Sequence, residues 1–138
     1  MSTARSLNKA ILIGNLTRDP VLKETASGGA VCTFGLATNS NWKDKDGNSQ
    51  ERTEFHNVVA WGKLGEICAN LLVKGAFVYI EGEMRTRNWV DEAGVKHYRT
   101  EVKAQDMKIL QKGSREEQSE SNEEQDDSDS YEYEEELF

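Results

Sequence analysis

Only one stretch of this chain changes hydrophobic period. In "GKLGEICANLLVKG" (62–75), Leu64, Ile67, Cys68, Leu71 and Leu72 fall at i, i+3, i+4, i+7 and i+8, a single apolar stripe on a helix of about three turns. Lys74 and Gly75 then read as a cation and a C-cap glycine at the helix end. The other apolar segments are short, β-branched or alternating, and so read as strands. One helix among several strands does not fit βαβ units, which need a helix at every crossover.

The strands follow in order. "LNKAILIGNL" (7–16) is apolar, with Gly14 as a bulge. After the turn "RDP", "VLKETA" (21–26) is a weaker segment closed by "SGG" (27–29). "AVCTFGLATNSNW" (30–42) alternates, with Cys32, Phe34 and Leu36 on one face. "KDKDGNSQ" (43–50) is a polar loop with an Asp46-Gly47 turn, and "RTEFHNVVAW" (52–61) is the next strand. Beyond the helix, "AFVYIEGEMRTRNWV" (76–90) and "VKHYRTEVKAQDMKIL" (95–110) form a hairpin about the turn "DEAG". With 7–26 counted as one long interrupted strand, the helix follows the third of five strands. The expected fold is therefore all-β with one helix, a five-stranded Greek-key barrel of the OB type.

Charge divides the chain in two. Residues 1–112 hold 16 Lys and Arg against 13 Asp and Glu, whereas 113–138 hold one Arg and 12 acids. The low overall pI therefore averages a mildly basic body with a strongly acidic tail, and the two need separate readings. "GSREEQSESNEEQDDSDS" lacks core material and is expected to be disordered. The expected organisation is a binding domain over 1–112 and an acidic tail over 113–138.

Cys32 and Cys68 lie 36 positions apart with no CxxC and no histidine near either. They read as reduced, buried thiols in a cytoplasmic protein, not as metal ligands. No segment has the apolar length of a membrane span or the pattern of a signal sequence. The body's acids are scattered and make no paired acid/base or metal geometry. No enzyme activity, cofactor, metal or membrane contact is expected.

Aromatics beside cations carry the functional signal. Trp42 stands where a strand meets a polar loop. Phe55 and Trp61 share parity on one strand; Arg85, Arg87 and Trp89 share it on another. A buried strand face does not normally set two arginines beside a tryptophan, whereas a face that stacks bases and pairs phosphates does. The competing reading is that these aromatics are ordinary core. Arg5, Lys9, Lys63 and Lys74 extend the set of cations able to track phosphates. His56 has no nucleophile or carboxylate pattern around it and reads as a core or interface histidine.

"NKAILIGNLTRDP", "GGAVCTFGLATN", "TEFHNVVAWGKLGEI" and "LVKGAFVYIEGEMRTRNWVDEAG", followed by an acidic tail ending in Phe, resemble the bacterial-type single-stranded DNA-binding protein family in order over 7–110. The resemblance implies an OB fold, usually a homotetramer, that wraps single-stranded DNA over aromatic platforms. By motif, Trp42, Phe55, Trp61 and Trp89 fall at the stacking positions. Arg5, Lys9, Lys63, Lys74, Arg85 and Arg87 fall at or near the backbone-contacting positions, and His56 at a subunit contact. Phe55 and Trp61 exchange the family's usual order of Trp then Phe, and Asn88 stands where a basic residue is common.

The tail "YEYEEELF" fits the same reading. In the family an acidic tip ending in aliphatic-Phe is captured by partner enzymes, which carries over to Glu134, Glu135, Glu136, Leu137 and Phe138. The missing proline before Phe138, with Tyr131 and Tyr133 upstream, marks a diverged, bacterial or phage-encoded version. The expected function is binding of single-stranded DNA with little sequence preference, protecting it in replication, recombination and repair and recruiting the enzymes of those processes. The rivals are an OB-fold RNA-binding or primosome accessory protein, and a nuclease on the same fold.

Overall fold

The computed structural model describes residues 5–113. The acidic segment beyond, including Glu134, Glu135, Glu136, Leu137 and Phe138, lies outside them. The elements are β1 (Ala10–Leu16), β2 (Val21–Glu24), β3 (Ala30–Lys43), β4 (Ser49–Trp61), α1 (Gly62–Leu71), β5 (Phe77–Val90) and β6 (Lys96–Gln111). β3–β4 and β5–β6 are long antiparallel hairpins. β1 pairs with β5 from Ala10↔Gly82 to Asn15↔Phe77, and its end also pairs with β3 through Asn15↔Ala37 and Leu16↔Leu36. A short parallel contact, Val58↔Val102 and Val59↔Lys103, closes β4 on β6. Five strands thus close into the OB-type barrel, and its interior is filled by Leu16 of β1, Phe34 and Leu36, Val58 and Ala60, Val78 and Ile80, and Val102 and Met107, the last two brought to the same side by a register shift in β6 opposite Glu81 and Gly82.

Four local expectations change. The interrupted strand 7–26 is two strands, and β2 pairs only with β3, as an added edge beyond the closed barrel. The break is anchored: the Asp19 carboxylate accepts the Lys74 backbone N–H at 2.8 Å, and the Thr17 N–H donates to the Gly35 carbonyl. Gly14 is not bulged; it pairs in register with Val78. Its bare Cα is needed because a Cβ there would collide with the Ala37 carbonyl oxygen, where β1 crosses from β5 to β3. The helix ends at Leu71, one turn before Gly75, because Leu72 leaves in an extended conformation and is buried in the core. Gly75 instead serves the turn into β5. The loop after β3 shrinks to 44–48, where Asp44 accepts the N–H groups of Asp46 and Asn48, so strand pairing continues to Lys43↔Ser49.

The β4–α1 junction matters for the site. Gly62 adopts φ +62°, in the left-handed region that glycine enters without steric penalty. β4 can therefore run directly into α1, leaving Trp61 as the last strand residue and half-exposed.

Candidate nucleic-acid interface

The outward pleat of the barrel gathers residues from four strands. On β4 it carries Phe55, Asn57, Val59 and Trp61, paired with Ala37, Gly35, Thr33 and Val31 of β3. On the β5–β6 hairpin, Arg85, Arg87 and Trp89 pair with Glu101, Arg99 and His97. Between the two hairpins runs a groove of about 560 Å³, its walls including Thr33, Val59 and Trp61 on one side and Arg85, Arg87 and Lys103 on the other. Lys23, from the added edge strand β2, reaches it as well.

The aromatics expected as platforms are all solvent-facing: Trp42 is 47% exposed, Phe55 72%, Trp61 49% and Trp89 40%. None is core. Their placement differs, however. The β3–β4 register is unbroken from Val31↔Trp61 to Lys43↔Ser49, so Trp42 takes the pleat opposite to Phe55, out on the arm where the hairpin leaves the barrel. Trp89 is held from two sides of its hairpin. The Arg87 guanidinium carbon lies 4.9 Å from its ring centroid, and the His97 ring stacks on it.

The groove's electrostatics are unequal. Arg87 pairs with Glu101 at 2.9 Å and Arg85 with Glu83 at 2.8 Å. Among the described residues Lys23 and Lys103 make no ion pair, and Arg99 donates only to the neutral Asn57 carboxamide, at 2.6 Å. The surplus is positive and sits beside exposed π-faces. That combination can attract a phosphodiester and stack unpaired bases.

The remaining candidates lie off the groove lining. Lys9 donates to Glu81 at 2.9 Å, a contact that raises the Lys9 pKa and holds the Glu81 carboxyl below its usual range. Arg5 precedes β1, Lys63 is in the first turn of α1 and Lys74 follows α1; all three are exposed. His56 is half-buried on the pleat opposite to Phe55, with its Nε2 hydrogen-bonded to the Thr38 hydroxyl at 2.9 Å. Lys23 and Lys103, which line the groove, and Arg99, which adjoins it opposite Arg87, were missed. A signal for the last two existed: in "YRTEVK" Val102 must face the core, so Arg99, Glu101 and Lys103 must share the outward pleat. Lys23 carried no such signal, because its position depends on which strand β2 joins.

Both thiols are in the core. Burial pushes Cys32 up to about 11 and Cys68 up to about 12, so both stay protonated at neutral pH. Among the described residues no three His, Cys, Asp or Glu side chains are grouped so as to hold a metal ion, and no helix is long and apolar enough to cross a membrane.

Barrel and groove together define an OB-fold domain with a basic, aromatic-studded outer face. Residues 7–110 match the single-strand binding protein family, and the chain belongs to that family. It is 55% identical over 108 residues to single-stranded DNA-binding protein 1 of Chlorobaculum tepidum, and 50% identical over 107 residues to the single-stranded DNA-binding protein of Xanthomonas axonopodis pv. citri. Each match covers 78% of this chain, but 67% of the first relative and 59% of the second. Among solved structures, the Plasmodium falciparum SSB complex with ssDNA superposes with a TM-score of 0.71 at 31% identity, covering 79% of this chain and 99% of that one. A deletion mutant of the single-stranded DNA binding protein from Thermus aquaticus superposes with a TM-score of 0.68 at 30% identity, covering 76% of this chain and 51% of that one.

Proposed function

We propose that this protein binds single-stranded DNA with little sequence preference and has no catalytic role of its own. The observation that carries the reading is the exposure of Phe55, Trp61 and Trp89 beside cations that the described acids only partly neutralise. Bases of any sequence offer a π-face, so such a surface selects for unpaired strands without reading their order. Phosphates are met by Arg85 and Arg87, joined by Lys23, Arg99 and Lys103, with Arg5, Lys9, Lys63 and Lys74 as outer contacts. Because Trp42 takes the other pleat, a strand touching both Trp42 and Phe55 passes around the β3–β4 arm. That path suits wrapping better than a straight crossing.

The wider role follows from the same reading. Bound strands are protected during replication, recombination and repair in the cytoplasm. Glu134, Glu135 and Glu136, with Leu137 and Phe138, dock the enzymes of those processes by offering apolar side chains beside a block of acid. The body assembles as a homotetramer, with His56 at a subunit contact. Support for assembly comes from β1, whose Ile11 and Ile13 are about half exposed (55% and 50%), Ile13 bordering a surface hollow with the equally exposed Leu110 (49%), apolar surface of the kind that partners cover.

Fluorescence titration of the full chain with matched single-stranded DNA, duplex DNA and RNA tests the reading. The expected result is strong tryptophan quenching by single-stranded DNA, weaker binding of RNA, and little binding of duplex. Tighter binding of RNA than of DNA would move the protein to the RNA-binding class. Cleavage of labelled DNA in Mg²⁺ would show an enzyme.

A further inference from the structure

Deeper than the aromatic groove, and sharing its Arg87, Lys23 and Glu101 wall, lies a narrower polar pocket of about 200 Å³ with Phe34 and Val58 at its base. Its charged lining is Arg18, Lys23, Arg87 and Arg99 against one acid, Glu101. Glu101 is 9% exposed and already bonded to Arg87 at 2.9 Å. Arg99 is positioned by the uncharged Asn57 oxygen at 2.6 Å, and among the described residues neither Arg18 nor Lys23 belongs to an ion pair. Three cationic charges thus converge on the recess without a counter-charge from the described residues.

The recess depends on a missing side chain. A Cβ at Gly35 would stand 3.0 Å from Arg18 Nη1 and collide with the Thr17 hydroxyl oxygen. With no Cβ at Gly35, the Arg18 guanidinium can lie over β3 and line the same recess as Arg99 of β6; an alanine there would push the Thr17 and Arg18 side chains aside. Two planar guanidinium groups from separate parts of the chain suit the several oxygens of one phosphate, which can take paired N–H donors from each. A carboxylate offers fewer acceptors, and an uncharged base would leave the cations unpaired in a partly desolvated site.

We propose that this pocket is a phosphate-anchoring subsite. Resting on the reading of the protein as a binder of single-stranded DNA, it takes one phosphate of the bound strand, either an internal diester or a terminal monoester. Bases on either side then meet the groove aromatics. A phosphate held here fixes the strand's register, whereas cations on the open surface only attract it.

The test uses the full-length chain and three variants: Arg18→Gln, Arg99→Gln and Gly35→Ala, the last crowding the recess without removing charge. Thermal melts confirm that each is folded. Each glutamine variant is expected to weaken single-stranded DNA binding by about tenfold at low salt, the loss of a charge-assisted contact. Each should also flatten the log–log salt dependence by about 0.7, one phosphate's worth. Quenching at saturation should stay at its full value, because the aromatics remain. Gly35→Ala should weaken binding in the same direction. Oligomers with and without a 5′-phosphate separate the two sources: a severalfold gain from the 5′-phosphate identifies a terminal monoester, and equal affinity an internal diester. Unchanged salt slopes in both glutamine variants would overturn the subsite. If the parent protein binds no DNA, the functional reading fails, and the pocket is judged by titrating inorganic phosphate while observing the arginine side-chain NMR signals. Shifts of Arg18 and Arg99 that vanish in Gly35→Ala support it, and the absence of shifts overturns it.

Discussion

His97 stacks on Trp89 across the β5–β6 hairpin, with ring centroids 5.4 Å apart and planes 17° from parallel. The imidazole is itself tied down, its Nε2 lying 2.6 Å from Asp91 Oδ2, and Asp91 also accepts the backbone N–H groups of Ala93 and Val95 in the turn. Trp89 is thereby oriented before any base arrives. His97→Ala should release the indole and weaken single-stranded DNA binding by about 0.5–1.5 kcal/mol, the scale of an aromatic pair. Trp89→Ala should cost about 1–3 kcal/mol. Fluorescence titration of each variant decides; a His97→Ala protein that binds as tightly as the parent means that the stack does not position the platform.

The Asp91–His97 contact also has an acid limit. Its hydrogen bond from His97 holds the Asp91 carboxyl below its ordinary value of 3.8. A depressed carboxyl stabilises the fold above that ordinary value and loses its contribution as pH falls through the lowered one. The contact's contribution should therefore be fully present at pH 5 and fade only as pH falls below the ordinary carboxyl value, with the β5–β6 ladder itself still paired. Comparing the acid melting profiles of the parent and Asp91→Asn checks this: the two should converge only in strong acid.

Cations in the groove and cations elsewhere should differ in their salt response. Arg87→Ala should flatten the log–log salt slope by about 0.7, as loss of one phosphate contact does on single strands. Lys9→Ala should change it less, because the Lys9 ammonium is already occupied by Glu81 at 2.9 Å and lies away from the groove lining. Equal flattening in both variants would show that the strand reaches Lys9 and breaks its ion pair.

Gly14 is a stability position. A β-branched side chain there cannot avoid the Ala37 carbonyl, which is backbone and cannot rotate away. Gly14→Val should destabilise the barrel by about 1–3 kcal/mol, the usual range for forced overpacking, or more if β1 leaves β3. Urea denaturation of the two proteins gives the difference directly.

The buried thiols set an alkaline limit. Cys68 is pushed up to about 12 from an ordinary 9.0 by burial, so above pH 9 the unfolded chain gives up a proton that the folded chain keeps. Stability then falls as pH rises, by about 1.4 kcal/mol per unit for one such group, until the folded thiol also ionises. Cys68→Ala should show a shallower loss between pH 9 and 11 than the parent, whatever its stability at neutral pH. Parallel profiles would mean that the thiol ionises without unfolding.

Elements whose signal is local were legible in the chain. The stripe from Leu64 to Leu72 located α1, and alternation through Cys32, Phe34 and Leu36 placed the core face of β3, because both depend on periods of a few residues. Arg85, Arg87 and Trp89 could be grouped for the same reason, being neighbours on one pleat. The motif order over 7–110 placed the chain in its family, since it is a property of sequence alone.

Contacts between distant segments were not legible. The turn at 17–20 separates β2 from β1 because Asp19 meets Lys74, 55 residues away, and this sends Lys23 to the groove. The end of α1 was set by the demand that Leu72 fill the core, which outweighed the capping preference of Gly75. The recess between Arg18 and Arg99 exists because β3 passes Gly35 beneath the Arg18 guanidinium while Asn57 of β4 holds Arg99 of β6. The sequence by itself determined the periods, the charge division and the supply of aromatics and cations. Only the tertiary structure decided which cations share a pocket, because that depends on register between strands tens of residues apart, where a shift of one residue turns a side chain to the opposite face.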